Sequence, residues 1–184
     1  ALLFSWLATG KPNASLSLNG AIAGLVAITA GCATVSPLSA VIIGFLGGVI
    51  VVLSIRLFDR KFKIDDPVGA ISAHGVVGAW GTIAVGLVAD AQLGGGLNGL
   101  FFGGGFYQLL IQTIGVLAVF GWTIATSLIL FYAIKKFIGL RVSKEQEKRG
   151  LDLGEHGSVA YSGFHQDQLA AEKWQREQEL ATNK

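Results

Sequence analysis

The sequence predicts an all-α fold, a polytopic membrane helix bundle. Three observations carry the prediction. First, 52% of the 184 residues are hydrophobic and only 14% are charged, where a soluble domain carries roughly 25% charged residues; the mean hydropathy is +0.58. Second, the charge is unevenly placed. Ala1 to Leu140 is nearly all apolar residues and glycine, whereas Arg141 to Lys184 is charged and polar. Third, the apolar part divides at helix start and stop signals into segments of membrane-crossing length. The composition shift is read as the domain boundary, with 1–140 in lipid and 141–184 in water.

A hydrocarbon core of about 30 Å takes roughly 20 apolar helical residues. The opening stretch, ALLFSWLAT, reads as the last turns of a helix. The chain starts with Ala inside an apolar segment, and no basic-then-apolar leader precedes it, so the expectation is a piece of a longer protein. TGKPN separates this partial helix from a first full span at about Leu18 to Thr34. A second span runs from about Ser36 to Phe58, with Ser36 as N-cap and Pro37 in the first turn. A third runs from about Pro67 to Asp90: Asp66 caps it and Pro67 fits its first turn. LGGGLNGLFFGGG is too rich in glycine for a helix interior and reads as a loop. A fourth span, from about Gly105 to Ile138, is long enough to tilt or to extend beyond the lipid.

Charge sets the orientation. Arg56, Arg60, Lys61 and Lys63 lie between the second and third spans, and Lys135, Lys136, Arg141, Lys144, Lys148 and Arg149 follow the fourth. The glycine loop has no Lys or Arg. By the positive-inside rule both basic regions are cytoplasmic and the glycine loop faces outside, an alternation compatible with four full spans. The 26 glycines, close-spaced in GFLGG and HGVVGAWG, argue for helices packed backbone to backbone.

Other classes find little support. A net charge of +2 with no aromatic-interleaved basic patch gives no case for nucleic-acid binding. Cys32 is the one cysteine, which rules out an intrachain disulfide, and its apolar setting reads as that of a small buried hydrophobe. From Phe164 onward, Gln, Glu, Lys and Ala favour helix without a clean apolar stripe, so a loose exposed helix or disorder is expected there.

The chemistry-bearing stretch is ISAHGVVGAWG, Ile71 to Gly81. At helical spacing the face of His74 takes in Ala70, Ile71, Val77, Gly78, Gly81 and Val85, while Trp80 points elsewhere. An ionisable residue at membrane depth is by default a functional hypothesis. The residues alone leave three readings open: a neutral ring hydrogen-bonded to a neighbouring helix, a ring lining a conduction path for protons or a small cation, or a metal or haem ligand. A metal would need further ligands, and the other histidines, His156 and His165, lie in the tail. Histidine has the ordinary pKa nearest neutrality. A neutral imidazole in a dry path can accept a proton from entering ammonium or hydrogen-bond ammonia.

KIDDPVGAISAHGVVGAWGTIAVGLVAD resembles the second-histidine segment of ammonium transporters of the Amt/Mep/Rh superfamily, Amt branch. GKPNASLSLNGAIAGLVAITAGCATVSPLSAVIIGFLGGV resembles the two helices before it, and GLRVSKEQEKRGLDLGEHGSVAY the cytoplasmic tail. The resemblance runs from about Trp6 to Tyr161 in matching order. It implies a transporter and not an enzyme, in an eleven-helix fold of two inverted five-helix repeats, assembled as a homotrimer with one pore per subunit. This chain resembles the second half of that fold plus the tail. The substrate implied is ammonium or ammonia, moved across the cell (plasma) membrane by a multi-pass protein with a cytoplasmic C-terminus, with no cofactor and no metal.

Within that resemblance His74 matches the second of two stacked pore histidines, the first belonging to the other repeat. Ala70, Ile71 and Gly78 fall on the pore side. Departures from the family pattern are Gly69 for an acid, Ala70 for a pore-wall valine, Ile71 for an aromatic and Ser72 for a glycine. In the tail, Gly150, Asp152, His156, Gly157 and Tyr161 match the segment that packs on the cytoplasmic face and couples subunits during gating. A PII-type nitrogen-signalling protein is a partner of many prokaryotic members there. Gly154 and Glu155 stand where plant members carry a phosphorylatable threonine, so that control is not expected. The alternatives are an ammonium sensor that reports through its tail, and a truncated chain that does not conduct.

Overall fold

The computed structural model describes residues 1–94, 96–158 and 173–178, and these are helical with no strand. The helices are α1 (Leu2–Thr9), α2 (Ala14–Thr29), α3 (Pro37–Arg56), α4 (Val77–Val88), α5 (Tyr107–Phe137), α6 (Lys144–Arg149) and α7 (Leu151–His156). A wide π-helical turn, Leu57–Phe62, continues α3, and a second, Ile71–Val76, leads into α4. The chain forms two compact units, Ala1–Ile124 and Ala125–Lys184.

In the first unit α2, α3 and α4 pack around Ala23, Ala27, Ile43, Val51, Val52, Ala73, Val77 and Ala84. Small residues set the spacing. A Cβ on Gly47 of α3 would lie 2.9 Å from Ala27 Cβ and 3.3 Å from the Ala23 carbonyl oxygen. One on Gly81 of α4 would collide with the Ala27 carbonyl. The backbones are therefore in near contact, as membrane helices achieve with glycine and alanine. Trp80 ties α4 to α3 by donating its indole N–H to the Ile43 carbonyl at 3.1 Å.

The helix starts follow from side chains. Ser36 accepts from the Ser39 N–H at 3.2 Å and Pro37 occupies the first turn of α3. Asn13 accepts from the Leu16 N–H at 2.9 Å. That cap corrects the first expected span: the helix is Ala14–Thr29 rather than Leu18 to Thr34, because Asn13 starts it earlier and Gly31 closes turns onto Thr34 and Val35. Its 16 residues reach about 24 Å, short of the hydrocarbon core. Among the described residues three helical stretches, not four, are long and apolar enough to cross a membrane: Pro37–Phe62, Ile71–Val88 and Tyr107–Phe137.

The third span also starts late. Gly69 adopts a left-handed φ of +71°, which breaks the helix between Pro67 and Ile71. Pro67 thus lies in a turn and not in the first turn of a helix. The glycine loop holds two single 3₁₀ turns, Ala91–Leu93 and Leu100–Phe102. It folds tightly enough that a Cβ on Gly104 would strike the Asn98 carbonyl. Cys32 is exposed, not buried, its side chain directed outward between the buried Gly31 and Val35.

In the second unit the polar tail has regular structure. Ser143 and Gln146 form a reciprocal capping box at the start of α6, with bonds of 3.2 and 3.0 Å. This satisfies two otherwise orphan backbone donors.

Candidate functional site

His74 sits in the wide turn Ile71–Val76, between two fully buried residues, Ser72 and Val77, each 0% exposed. The Val77 N–H bonds the carbonyls of both Ser72 and His74. The first of these is the long-range bond that defines a π turn, a feature frequent at functional sites. The turn begins at the Asp66 carboxylate, which accepts from the Ile71 N–H at 3.1 Å, the Ser72 N–H at 3.2 Å and the Ser72 hydroxyl at 3.2 Å. The buried Ser54 hydroxyl of α3 donates to Ser72 Oγ at 3.1 Å.

His74 itself is exposed to a cavity of about 450 Å³ within the first unit. Gly75, Gly78, Ala79 and Thr82 line it on the α4 side; Gly115, Val116, Val119, Phe120 and Thr123 line it on α5. The wall is apolar apart from the imidazole and two threonine hydroxyls, and Thr82 Oγ1 donates to the Gly78 carbonyl at 3.0 Å. A Cβ built on Gly75 would meet no other part of the fold within 4 Å, so the space beside the ring is open. Such a site can hold a small polar or cationic species against one nitrogen base in an otherwise mostly apolar wall.

The structure brings His74 and Gly78 to one cavity. Ala70 and Ile71 are exposed but do not line it. The face read from regular spacing needs correction: Val77, Gly81 and Val85 are buried against the helix core, not aligned with the ring. The π turn holds more residues per turn than an α turn, so residues beyond it are displaced around the axis: Gly78, already read onto that face, stays with His74, and Thr82 joins it. Thr82 was missed for that reason. Its signal was the spacing of four between His74, Gly78 and Thr82.

The tail candidates belong to the second unit. Gly150 has φ +95°, and a Cβ there would lie 2.8 Å from Asp152 Oδ1, so glycine is required twice over. His156 ends α7, Gly157 follows in a left-handed φ of +61°, and both are exposed. Tyr161 lies outside the described residues. Among the described residues no three His, Cys, Asp or Glu side chains converge.

Comparison with known proteins gives a consistent result. The Ammonium Transporter Family profile matches residues 1–161. The ammonium transporter Amt2 of Archaeoglobus fulgidus is 43% identical over 171 residues, which are 89% of this chain and 36% of that protein. Ammonium transporter 1 member 1 of Solanum lycopersicum is 40% identical over 167 residues, 86% of this chain and 34% of that protein. Among solved structures, a Sensor Amt Protein superposes with a TM-score of 0.75 at 37% identity, covering 84% of this chain and 37% of its own. Candida albicans Mep2 superposes with a TM-score of 0.70 at 29% identity, covering 79% and 33%. The two curated relatives are named as ammonium transporters, and the chain spans about a third of their length.

Proposed function

The chain belongs to the ammonium transporter family, and from that membership we propose that it supplies one wall of a pore for ammonium and ammonia. The observation that carries this reading is His74, exposed to an apolar cavity from a helical stretch, Ile71–Val88, long enough to cross a membrane. Burial in low dielectric disfavours charged forms. Ammonium entering such a path sheds a proton to a base, the N–H bond breaking heterolytically, and crosses as ammonia while the proton travels separately. His74 is the base available on this wall, and its partner, the first histidine of the pair, is assigned to the other repeat of the fold. Ala70, Ile71 and Gly78 are assigned to the pore side.

The same reading makes 1–140 the membrane region of a multi-pass plasma-membrane protein and 141–184 its cytoplasmic tail. It assembles as a homotrimer. Gly150, Asp152, His156, Gly157 and Tyr161 transmit gating between subunits, and a PII-type protein docks on that face.

The test is uptake of methylammonium, and ammonium-evoked current, by the full-length protein with His74→Ala and His74→Glu. Changed ion selectivity or current is expected in both. Unchanged values in both would remove the role given to His74. This chain alone, expressed in a transporter-deficient cell, is expected to give no uptake. The likeness to a Sensor Amt Protein favours a second reading, a sensor with little flux. A variant that retains uptake but loses the cellular nitrogen response would favour the sensor.

A further inference from the structure

The buried hydroxyls of Ser54 and Ser72 lie outside the pore wall, yet they meet at the root of the turn that carries His74. Ser54 is 6% and Ser72 0% exposed, and they join at 3.1 Å. Buried hydroxyls that find each other are costly to separate, because a lone buried partner keeps its desolvation penalty. The chain of bonds has one direction: Ser54 donates to Ser72, and Ser72 donates to the Asp66 carboxylate at 3.2 Å. Ser72 is held by backbone too, its N–H on Asp66 and its carbonyl on the Val77 N–H.

His74 is thus slung between two buried anchors, Ser72 two residues before it and Val77 three after, in a turn wider than an α-helix. A π turn has a regular α-helical competitor that differs by one residue of register. Relaxation to that competitor would rotate the imidazole relative to the Gly78–Thr82 wall. The tether to Ser54 belongs to a different helix, α3, and selects the wide turn from outside it.

We infer, building on the transport reading, that Ser54 and Ser72 are positioning residues: through their shared hydrogen bond α3 holds the His74 imidazole in its transport-competent orientation. Neither hydroxyl touches substrate. Substrate recruitment is untouched by the bond, so its loss lowers maximal rate and leaves apparent affinity unchanged.

The experiment uses the full-length protein reconstituted in lipid, as wild type, Ser54→Ala, Ser72→Ala and the double variant. Ammonium-evoked currents are normalised to folded protein, and the ¹⁵N spectrum of His-labelled protein is recorded, with the His74 signal assigned by its absence in His74→Ala. For Ser54→Ala the expectation is a maximal current lower by about fivefold, the scale of one neutral hydrogen bond. The half-saturating ammonium concentration stays unchanged and the His74 signal shifts. Adding Ser54→Ala to Ser72→Ala is expected to change nothing further, since the two act through one bond. An unmoved His74 signal, additive losses, or a current loss that vanishes on normalisation to folded protein would overturn the inference. A wild type without ammonium current, whose His74 signal still shifts in Ser54→Ala, would instead overturn the transport reading and leave the α3 coupling standing.

Discussion

Gly78 and Gly81 lie three residues apart on α4, and the structure gives them opposite consequences. A Cβ at Gly81 would strike the Ala27 carbonyl oxygen and lie 2.9 Å from the carbonyl carbon and 3.1 Å from Cα. The obstacle is backbone, so relief requires α2 and α4 to part. A Cβ at Gly78 would find only Val26 Cγ1 at 3.8 Å, an ordinary contact, and would project beside the cavity that His74 lines. Overpacking a tight site costs about 1–3 kcal/mol, and a backbone obstacle puts Gly81→Ala at the upper end. Better helix propensity of alanine offsets about 1 kcal/mol. The net destabilisation is about 2 kcal/mol, close to a thirtyfold change in the folding equilibrium. For Gly78→Ala only the propensity gain applies.

Both variants of the full-length protein would be measured in the same detergent for thermal unfolding, and in proteoliposomes for methylammonium uptake per folded molecule. Gly81→Ala should unfold several degrees earlier. Gly78→Ala should unfold no earlier than wild type while taking up methylammonium more slowly, because its methyl group narrows the wall. Equal melting of Gly81→Ala and wild type would refute the close approach of α2 and α4. An equally large stability loss in Gly78→Ala would refute the assignment of that face to the cavity.

Three further outcomes follow from hydrogen bonds. Asp66→Ala leaves two N–H groups and one hydroxyl without their charged acceptor; a loss of about 3 kcal/mol is expected in chemical unfolding, and Asp66→Asn should lose less. Ser36→Ala removes the cap of α3 and should cost about 1 kcal/mol in the same measurement, with no change in uptake per folded molecule. Ser143→Ala breaks the capping box of α6; faster amide hydrogen exchange over Lys144–Arg149, with exchange in α3 unaltered, is the expected signature.

Much of the fold could be read from local chemistry. Ser36 before Pro37, the basic residues after the second and fourth apolar runs and the glycine loop all act over a few residues, and such signals survive in the sequence. Gly69 was harder to read. It stands in an apolar context that suggests continuing helix, and only its left-handed φ delays the start to Ile71. Asn13 likewise had a competing reading as part of a turn, TGKPN, so α2 was placed four residues late at its start. In both cases the missing information was the backbone angle of one residue, which composition does not encode.

The face of His74 shows why the site was less legible than the spans. Extrapolating from His74 with regular α spacing passes through Val77, Gly78, Gly81 and Val85, all small or apolar and equally suited to a pore wall or a helix core; of these only Gly78 shares the cavity with the ring. Nothing within ISAHGVV marks a wide turn. The turn arises from tertiary bonds, Ser54 to Ser72 and Ser72 to Asp66, that join residues 18 and 6 apart. Once those bonds hold Ser72 inside the core, Val77 is drawn in beside it and His74 is left on the open side. The residue that carries the chemistry could be picked from sequence because an ionisable ring in an apolar span is rare. What it faces could not, because its direction is fixed by a helix that precedes it in the chain.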